Sequence, residues 1–138
     1  MKKSTIRILS LITVLVLSCV ALTSCGLFPP TDPFDAKANL ERNEYFTQKL
    51  DTDTAETFFL IGLHAAGVND FTSVVTGEKD GEYVAIIYFK SSDYAKAEFG
   101  EVEAYAKEHV KYKEDWKIKQ FGTIVYFGSE LAIKAASK

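Results

Sequence analysis

The sequence predicts a single small α+β domain, in which an antiparallel or mixed sheet carries helices packed mainly on one face. Strand-like stretches of β-branched and aromatic residues alternate with amphipathic stretches of helical period, which is typical of this class. The length of 138 residues suits one domain, and 47% of the residues are hydrophobic, enough for one core. The sequence contains no internal repeat and no low-complexity tract.

The domain is expected to begin with a helix. Asp32 followed by Pro33 is typical of a helix N-terminus, because an acidic side chain caps the first turn and proline fits its first position. We therefore predict a helix over Pro33–Glu44, followed by a short strand over Tyr45–Leu50.

The next segment allows two interpretations. Asp53 and Glu56 have the spacing of a capping box, which favours a helix over Ala55–Ala66 that ends at Gly67. The run Phe58–Ile61 is apolar on every side of such a helix, so a buried strand is the alternative.

A β-hairpin is predicted next. Phe71–Glu78 and Glu82–Lys90 are rich in strand-forming residues, and the Asp80-Gly81 pair between them is a strong turn signal. Both alternating sets of side chains in Tyr83–Phe89 are apolar, so we expect this strand to lie in the middle of the sheet.

A long helix is predicted over Asp93–Tyr112, with Ser91 or Ser92 as its cap. Its core-facing residues have the spacing of one helix face and are Ala95, Phe99, Val102, Ala106 and Val110. This stripe predicts that one face of the helix is directed into the core.

Two strands and a helix complete the predicted domain. The strands cover Trp116–Gln120 and Thr123–Phe127, and Ser129 caps a last helix that ends at about Ala136. The strand–helix–strand unit over residues 82–127 predicts a split βαβ arrangement of the ferredoxin-like kind in the C-terminal half.

The first residues have the layout of a secretory leader. Lys2, Lys3 and Arg7 form a positive start, and an apolar run of 15 residues, Ile8–Leu22, follows. A membrane-spanning helix needs about 20 apolar residues, so a permanent transmembrane helix is the weaker interpretation.

The apolar run ends in Leu22-Thr23-Ser24-Cys25, which resembles the lipobox of bacterial lipoproteins: an aliphatic residue and two small residues before a cysteine. The resemblance covers residues 1–25 only. It implies that signal peptidase II recognises Leu22, Thr23 and Ser24 and cleaves before Cys25. It also implies that the Cys25 sulfur carries a diacylglycerol group, whose two acyl chains make a stable anchor.

Cys19 offers a competing site, but Leu17 is bulky where the motif has a small residue. We therefore expect three segments: a signal peptide over 1–24, a lipidated cysteine and extended tether over 25–32, and a globular domain over 33–138. The exported protein would be anchored to the outer face of the cytoplasmic membrane, as in Gram-positive cells, or to the outer membrane.

The charge pattern disfavours some partners. The formal net charge is −3, and removal of a leader with three basic residues and no acid lowers it to −6. A chain of this charge is not expected to bind nucleic acid, and its acidic character argues against binding of the polypeptide itself to anionic lipid head groups. We therefore expect the lipid on Cys25 to carry membrane attachment, and an envelope protein is the expected kind of partner.

Candidate chemical groups are few. Lipidation of Cys25 would consume the thiol that remains after the leader is removed. Ser129 lies in Gly128-Ser129-Glu130, which lacks the second glycine of a nucleophile elbow, and a helix cap explains this serine. His64 and His109 occur without a zinc-binding motif, so we expect no metal and no cofactor.

One flank of the long helix is a candidate recognition surface. On a helical wheel Tyr94, Tyr105 and Tyr112 lie on one side, with Glu98 and Glu101 among them. Tyrosines offer large, stiff and amphipathic contact area for a partner. The alternative is that these rings cover the edge of the sheet with their hydroxyls in water.

These features favour a non-catalytic binding or accessory lipoprotein of the cell envelope, and not an enzyme. An envelope hydrolase is an alternative, with a site assembled from scattered carboxylates and His64 or His109. It requires a histidine within hydrogen-bond reach of a carboxylate. A small solute-binding lipoprotein is a third interpretation, although one domain of this size lacks two lobes that close on a solute.

Overall fold

The computed structural model describes residues 28–52, 58–109 and 113–138, without the side chains of Phe58 and His109. The leader, the lipobox and the predicted Asp53–Glu56 capping box therefore lie outside the described residues. In the part of the chain that is described, none of the helices has both the length and the apolar character needed to cross a bilayer.

The described residues form one open sheet of five strands: β1 (Phe46–Asp51), β2 (Phe71–Lys79), β3 (Glu82–Phe89), β4 (Lys117–Phe121) and β5 (Ile124–Gly128). The strands lie in the order β1-β2-β3-β5-β4, and every neighbouring pair is antiparallel. The predicted α+β class and the single domain are confirmed. The hairpin of β2 and β3 also follows the prediction, with Asp80 and Gly81 at positive φ in its turn.

Five helices occur within the described ranges: α1 (Pro33–Arg42), α2 (Phe58–Ala65), α3 (Ser92–Ala97), α4 (Phe99–His109) and α5 (Glu130–Ala136). Asp32 and Ser129 act as the predicted caps, since their side chains accept hydrogen bonds from the backbone N–H groups of Phe34 and Ala132. The uncertain segment is a helix where it is described, and Gly67 at φ 92° follows its end.

The C-terminal half contains the predicted split βαβ unit. Strands β3 and β4 both run antiparallel to β5, which lies between them, so β3 and β4 are parallel to each other. Helices α3 and α4 connect these two strands. The unit expected over residues 82–127 is therefore present, with β5 inserted at its centre.

The helices cover both faces of the sheet, whereas the sequence predicted helices mainly on one face. Helices α1 and α5 pack on one face against Val84, Ile86 and Tyr88 of β3. Helices α2, α3 and α4 cover the other face, where Ala85 and Ile87 point. The reason is already present in β3: a strand that is apolar on both faces must be covered on both to remove it from water.

The predicted long helix is interrupted at Glu98, which separates α3 from α4. Glu98 has φ −96° and ψ 5°, so one residue leaves the helical conformation. Its carboxylate accepts hydrogen bonds from the backbone N–H groups of Asn69 at 3.0 Å and Asp70 at 3.4 Å. The break thus ties the helix to the loop before β2, a contact that periodicity cannot show.

The segment before α1 lies on the domain, whereas the sequence predicted an extended tether there. The Phe28 ring stacks on Phe121 with 4.1 Å between centroids, and Pro29 is buried. The Tyr88 hydroxyl donates a hydrogen bond to the Pro30 carbonyl at 3.1 Å. The described part of the expected tether is held against the sheet because it buries apolar surface there.

Substitution of Gly128 by alanine should destabilise the fold strongly. Gly128 has φ 149°, and a Cβ at this position would lie 2.0 Å from the Tyr83 carbonyl oxygen. Backbone strain and this clash together should cost roughly 3 kcal/mol or more in the free energy of unfolding. Urea unfolding followed by circular dichroism measures the loss.

Gly100→Ala is the matched control, since a Cβ there would have no neighbour within 4 Å. Gly100 lies in α4, so alanine should stabilise the fold by up to about 1 kcal/mol. An unchanged unfolding midpoint for the Gly128 variant would contradict the role assigned to this close approach.

Candidate functional site

The predicted tyrosine surface does not form as expected, because Tyr105 lies in the core. Tyr105 is 5% exposed, and its ring meets the Phe59 ring edge to face at 5.5 Å. Gly62 of α2 leaves room for it, since a Cβ there would lie 2.8 Å from the Tyr105 ring. Burial accordingly raises the pKa of the Tyr105 hydroxyl.

The other residues predicted for that surface differ in their surroundings. Tyr94 is 44% exposed and Glu101 is exposed, whereas Tyr112 lies outside the described residues. Glu98 holds the Asn69–Asp70 backbone, and its pKa is raised chiefly by burial, against the lowering effect of those two hydrogen bonds. The carboxylate of Glu98 therefore has a structural role. A helical wheel could not show that α2 covers the flank of the long helix that carries Tyr105.

The histidine side chain that the structure describes, that of His64, contacts an amide group. His64 is exposed, its Nδ1 lies 3.3 Å from the Asn69 amide oxygen, and its ring lies 4.9 Å from that of Phe71. The side chain of His109 is outside the described part of the structure. Ser129 caps α5, with its Oγ 3.4 Å from the Ala132 nitrogen. These residues give no positive indication of catalytic activity.

The side chains that could bind a metal are likewise not clustered in the described part of the chain. No group of three or more His, Cys, Asp or Glu side chains in the described ranges could hold a metal ion. The surface cavities are therefore the features that remain as candidate sites, and two of them flank helix α5.

The first cavity is the hairpin groove, an open groove of about 610 Å³ beside the turn between β2 and β3. Its lining includes Tyr45, Lys79, Glu82, Leu131, Lys134 and Lys138. The Lys79 ammonium donates hydrogen bonds to the Asn43 carbonyl at 3.0 Å and to Glu44 at 3.2 Å. The pKa of Tyr45 is raised by burial and then by the charges of Glu82 and Asp80. The groove is open and its lining carries both positive and negative side chains. Such a surface favours polar contacts and does not favour ions of one sign.

The second cavity is the edge pocket, a space of about 370 Å³ lined by Phe28, Lys117, Lys119, Tyr126, Glu130 and Lys134, with Ile133. Alternation along β4 builds it: Lys117 and Lys119 lie on this face, whereas Ile118 packs against the opposite core. Burial raises the pKa of Tyr126 to about 12, so this tyrosine is neutral at physiological pH. Lys134 lines both cavities.

The edge pocket exists because the helical layer on this face is incomplete. Helix α5 packs over β2, β3 and β5, and α1 packs over β1 and β2, which leaves the outer strand β4 as the pocket wall. The sequence signal for it was the alternation of Lys117, Lys119 and Phe121 in an edge strand, together with Phe28. Only the packing of Phe28 on Phe121 brings these residues to one place.

No protein-family model, no curated protein and no solved structure matches this chain. The properties of the two cavities are therefore described by their own geometry and charge alone.

Replacement of Tyr105 by serine should destabilise the protein because it leaves a large cavity between α2, α4 and the sheet. Loss of a buried aromatic ring typically costs about 3–5 kcal/mol in the free energy of unfolding. Tyr94→Ser, at a half-exposed ring on the neighbouring helix, should cost no more than about 1 kcal/mol. Thermal and urea unfolding measure both, and equal losses would contradict the assignment of Tyr105 to the core.

Replacement of Glu98 by glutamine should change how folding stability depends on pH. Because the pKa of Glu98 is raised in the folded protein, its contribution is fully present below the ordinary glutamate pKa and is lost as pH rises through the folded value. The unfolding free energy of the wild type minus that of Glu98→Gln should therefore fall as pH rises above the ordinary glutamate pKa of about 4.3.

Urea unfolding at a series of pH values tests this dependence. Glutamine keeps an oxygen acceptor for the Asn69 and Asp70 N–H groups, so the variant isolates the charge. Glu101→Gln, which removes an exposed carboxylate one turn later, is the matched control. A difference between wild type and Glu98→Gln that is constant or rises with pH would refute the expectation.

Proposed function

We propose that this chain is a lipid-anchored protein of the bacterial cell envelope that acts as a non-catalytic binding or accessory module. The observation that carries the proposal is the leader: Lys2, Lys3 and Arg7, the apolar run Ile8–Leu22, and Leu22-Thr23-Ser24-Cys25 at its end. The tetrapeptide resembles a lipobox, so Cys25 is the residue that would receive diacylglycerol.

The start of the domain supports this proposal. Phe28 is the third residue after Cys25 and packs on the sheet, so a lipid on Cys25 would hold the domain close to the bilayer. A diacylglyceryl group supplies two acyl chains, which suffice for stable anchoring without a membrane-spanning helix. The protein would then lie on the outer face of the cytoplasmic membrane or on the outer membrane.

The non-catalytic part of the proposal is supported by how the reactive groups are used. The Cys25 thiol would be consumed by the lipid, and Ser129 is engaged as a helix cap. His64 is exposed, and its Nδ1 contacts the amide oxygen of Asn69, which is not a nucleophile. An envelope protein is the partner class we propose, because the exported domain would meet such proteins at the membrane surface.

Cys25→Ala tests the anchor. Cells that express the full-length chain are grown with radiolabelled palmitate, and incorporation is measured on the purified protein. The wild type should carry label and Cys25→Ala should carry none, because the acyl chains attach through this residue.

Cys19→Ala is the matched control, since it removes the other of the two cysteines. This variant should keep its palmitate label. Label that persists in Cys25→Ala, or an absence of label in the wild type, would overturn the proposed anchor.

A further inference from the structure

An aromatic pair lies at the edge of the sheet where the described chain begins. Phe28 and Phe121 are stacked with centroids 4.1 Å apart and planes 7° from parallel. Phe121 remains 42% exposed although it is large and apolar. Exposed aromatic rings at one edge are typical of residues that sit at the level of lipid head groups.

Three lysines lie in the pocket beside Phe28. Lys117, Lys119 and Lys134 line the edge pocket together with Phe28, and one acid, Glu130, lines it as well. In the described ranges, none of the three lysines has a carboxylate within ion-pair distance. We call these three lysines with Phe28 and Phe121 the basic edge.

The local charge of this surface differs from that of the whole chain. Removal of the leader would give the chain a formal charge of −6, yet the lining of the edge pocket carries three lysines and one glutamate. Electrostatic attraction at a membrane is felt over about 10 Å, the screening length in salt, so local charge decides it. A negative net charge on the whole chain therefore does not prevent this basic surface from contacting anionic lipid.

The position of the predicted anchor favours the lipid head groups as the partner of the basic edge. Three peptide units separate Cys25 from Phe28, and an extended chain spans at most about 3.6 Å per residue, or roughly 11 Å in all. If Cys25 is lipidated, the head-group layer therefore lies within reach of Phe28 and of the lysines that line the same pocket. This step rests on the proposed function.

We propose that the basic edge docks on the anionic phospholipid head groups of the membrane that holds the lipid anchor. The lysine ammonium groups contact lipid phosphates, and the Phe28–Phe121 pair lies at the interface between head groups and acyl chains. The domain then has one orientation on the membrane. The opposite face of the sheet, covered by α2, α3 and α4, is directed away from the bilayer.

A fluorescence quenching experiment with the full-length chain, purified from cells in its lipidated form, tests this orientation. Lipidation of Cys25 leaves no other thiol after leader removal, so one introduced cysteine can be labelled with a fluorophore. Thr31→Cys places the label beside the basic edge, at an exposed side chain close to Gly122, the residue that follows Phe121. Ile61→Cys places it on α2 at a side chain that is 53% exposed. The vesicles contain phosphatidylcholine with or without phosphatidylglycerol, and a head-group spin label is the quencher.

The label at position 31 should be quenched at least about twofold more than the label at position 61 in phosphatidylglycerol vesicles. The difference should decrease at high salt, because screening weakens the attraction. Equal quenching at the two positions, in protein that still floats with the vesicles, would overturn the docking proposal and leave the anchor intact. Protein that does not float with phosphatidylcholine vesicles would instead show that the anchor, and this inference with it, is wrong.

Charge reversal distinguishes the contribution of the lysines to membrane contact from that of the lipid anchor. The double variant Lys117→Glu/Lys119→Glu should lose the effect of phosphatidylglycerol on quenching at position 31. Lys96→Glu/Lys107→Glu, on α3 and α4 of the opposite face, makes the same charge change and should keep it. An effect of phosphatidylglycerol that survives in the first variant, or is lost equally in both, would contradict the role of the basic edge.

Discussion

Burial of strand β3 on both of its faces is the constraint on which the rest of the domain depends. Val84 and Ile86 point into one core and Ala85 and Ile87 into the other, and all four are fully buried. A helical layer on each side is therefore required to keep this strand from water. The first and last helices of the domain provide one layer, and the three helices between β1 and β4 provide the other.

The two helical layers differ in how much of the sheet they cover, and this difference creates the edge pocket. Helices α1 and α5 leave the outer strand β4 uncovered on their face, so polar side chains occupy positions that would be core in a central strand. Lysines on an edge strand also discourage pairing with another chain. The Phe28–Phe121 stack closes part of the gap and brings the start of the described chain to this edge.

Whether an individual side chain is buried or exposed depends on which neighbour it contacts in the folded domain. The strands, the hairpin turn and the caps at Asp32 and Ser129 were predictable because their signals are local in the chain. The tyrosine flank was not, because Tyr105 is buried by α2 at Gly62, a residue more than forty positions earlier. The break at Glu98 likewise serves a loop nearly thirty residues away.

The amino-acid sequence by itself determined the class of the fold, the strands with their hairpin turn, and the helix caps, and it carries the lipobox-like leader, since each of these depends on the spacing of neighbouring residues. Only the tertiary structure decided which helices cover which face, which tyrosine is core, and that Phe28 meets Phe121. Periodicity states that a side chain is buried or exposed, but it does not identify the partner that buries it. Contacts between residues distant in the chain therefore became known only from the packed domain.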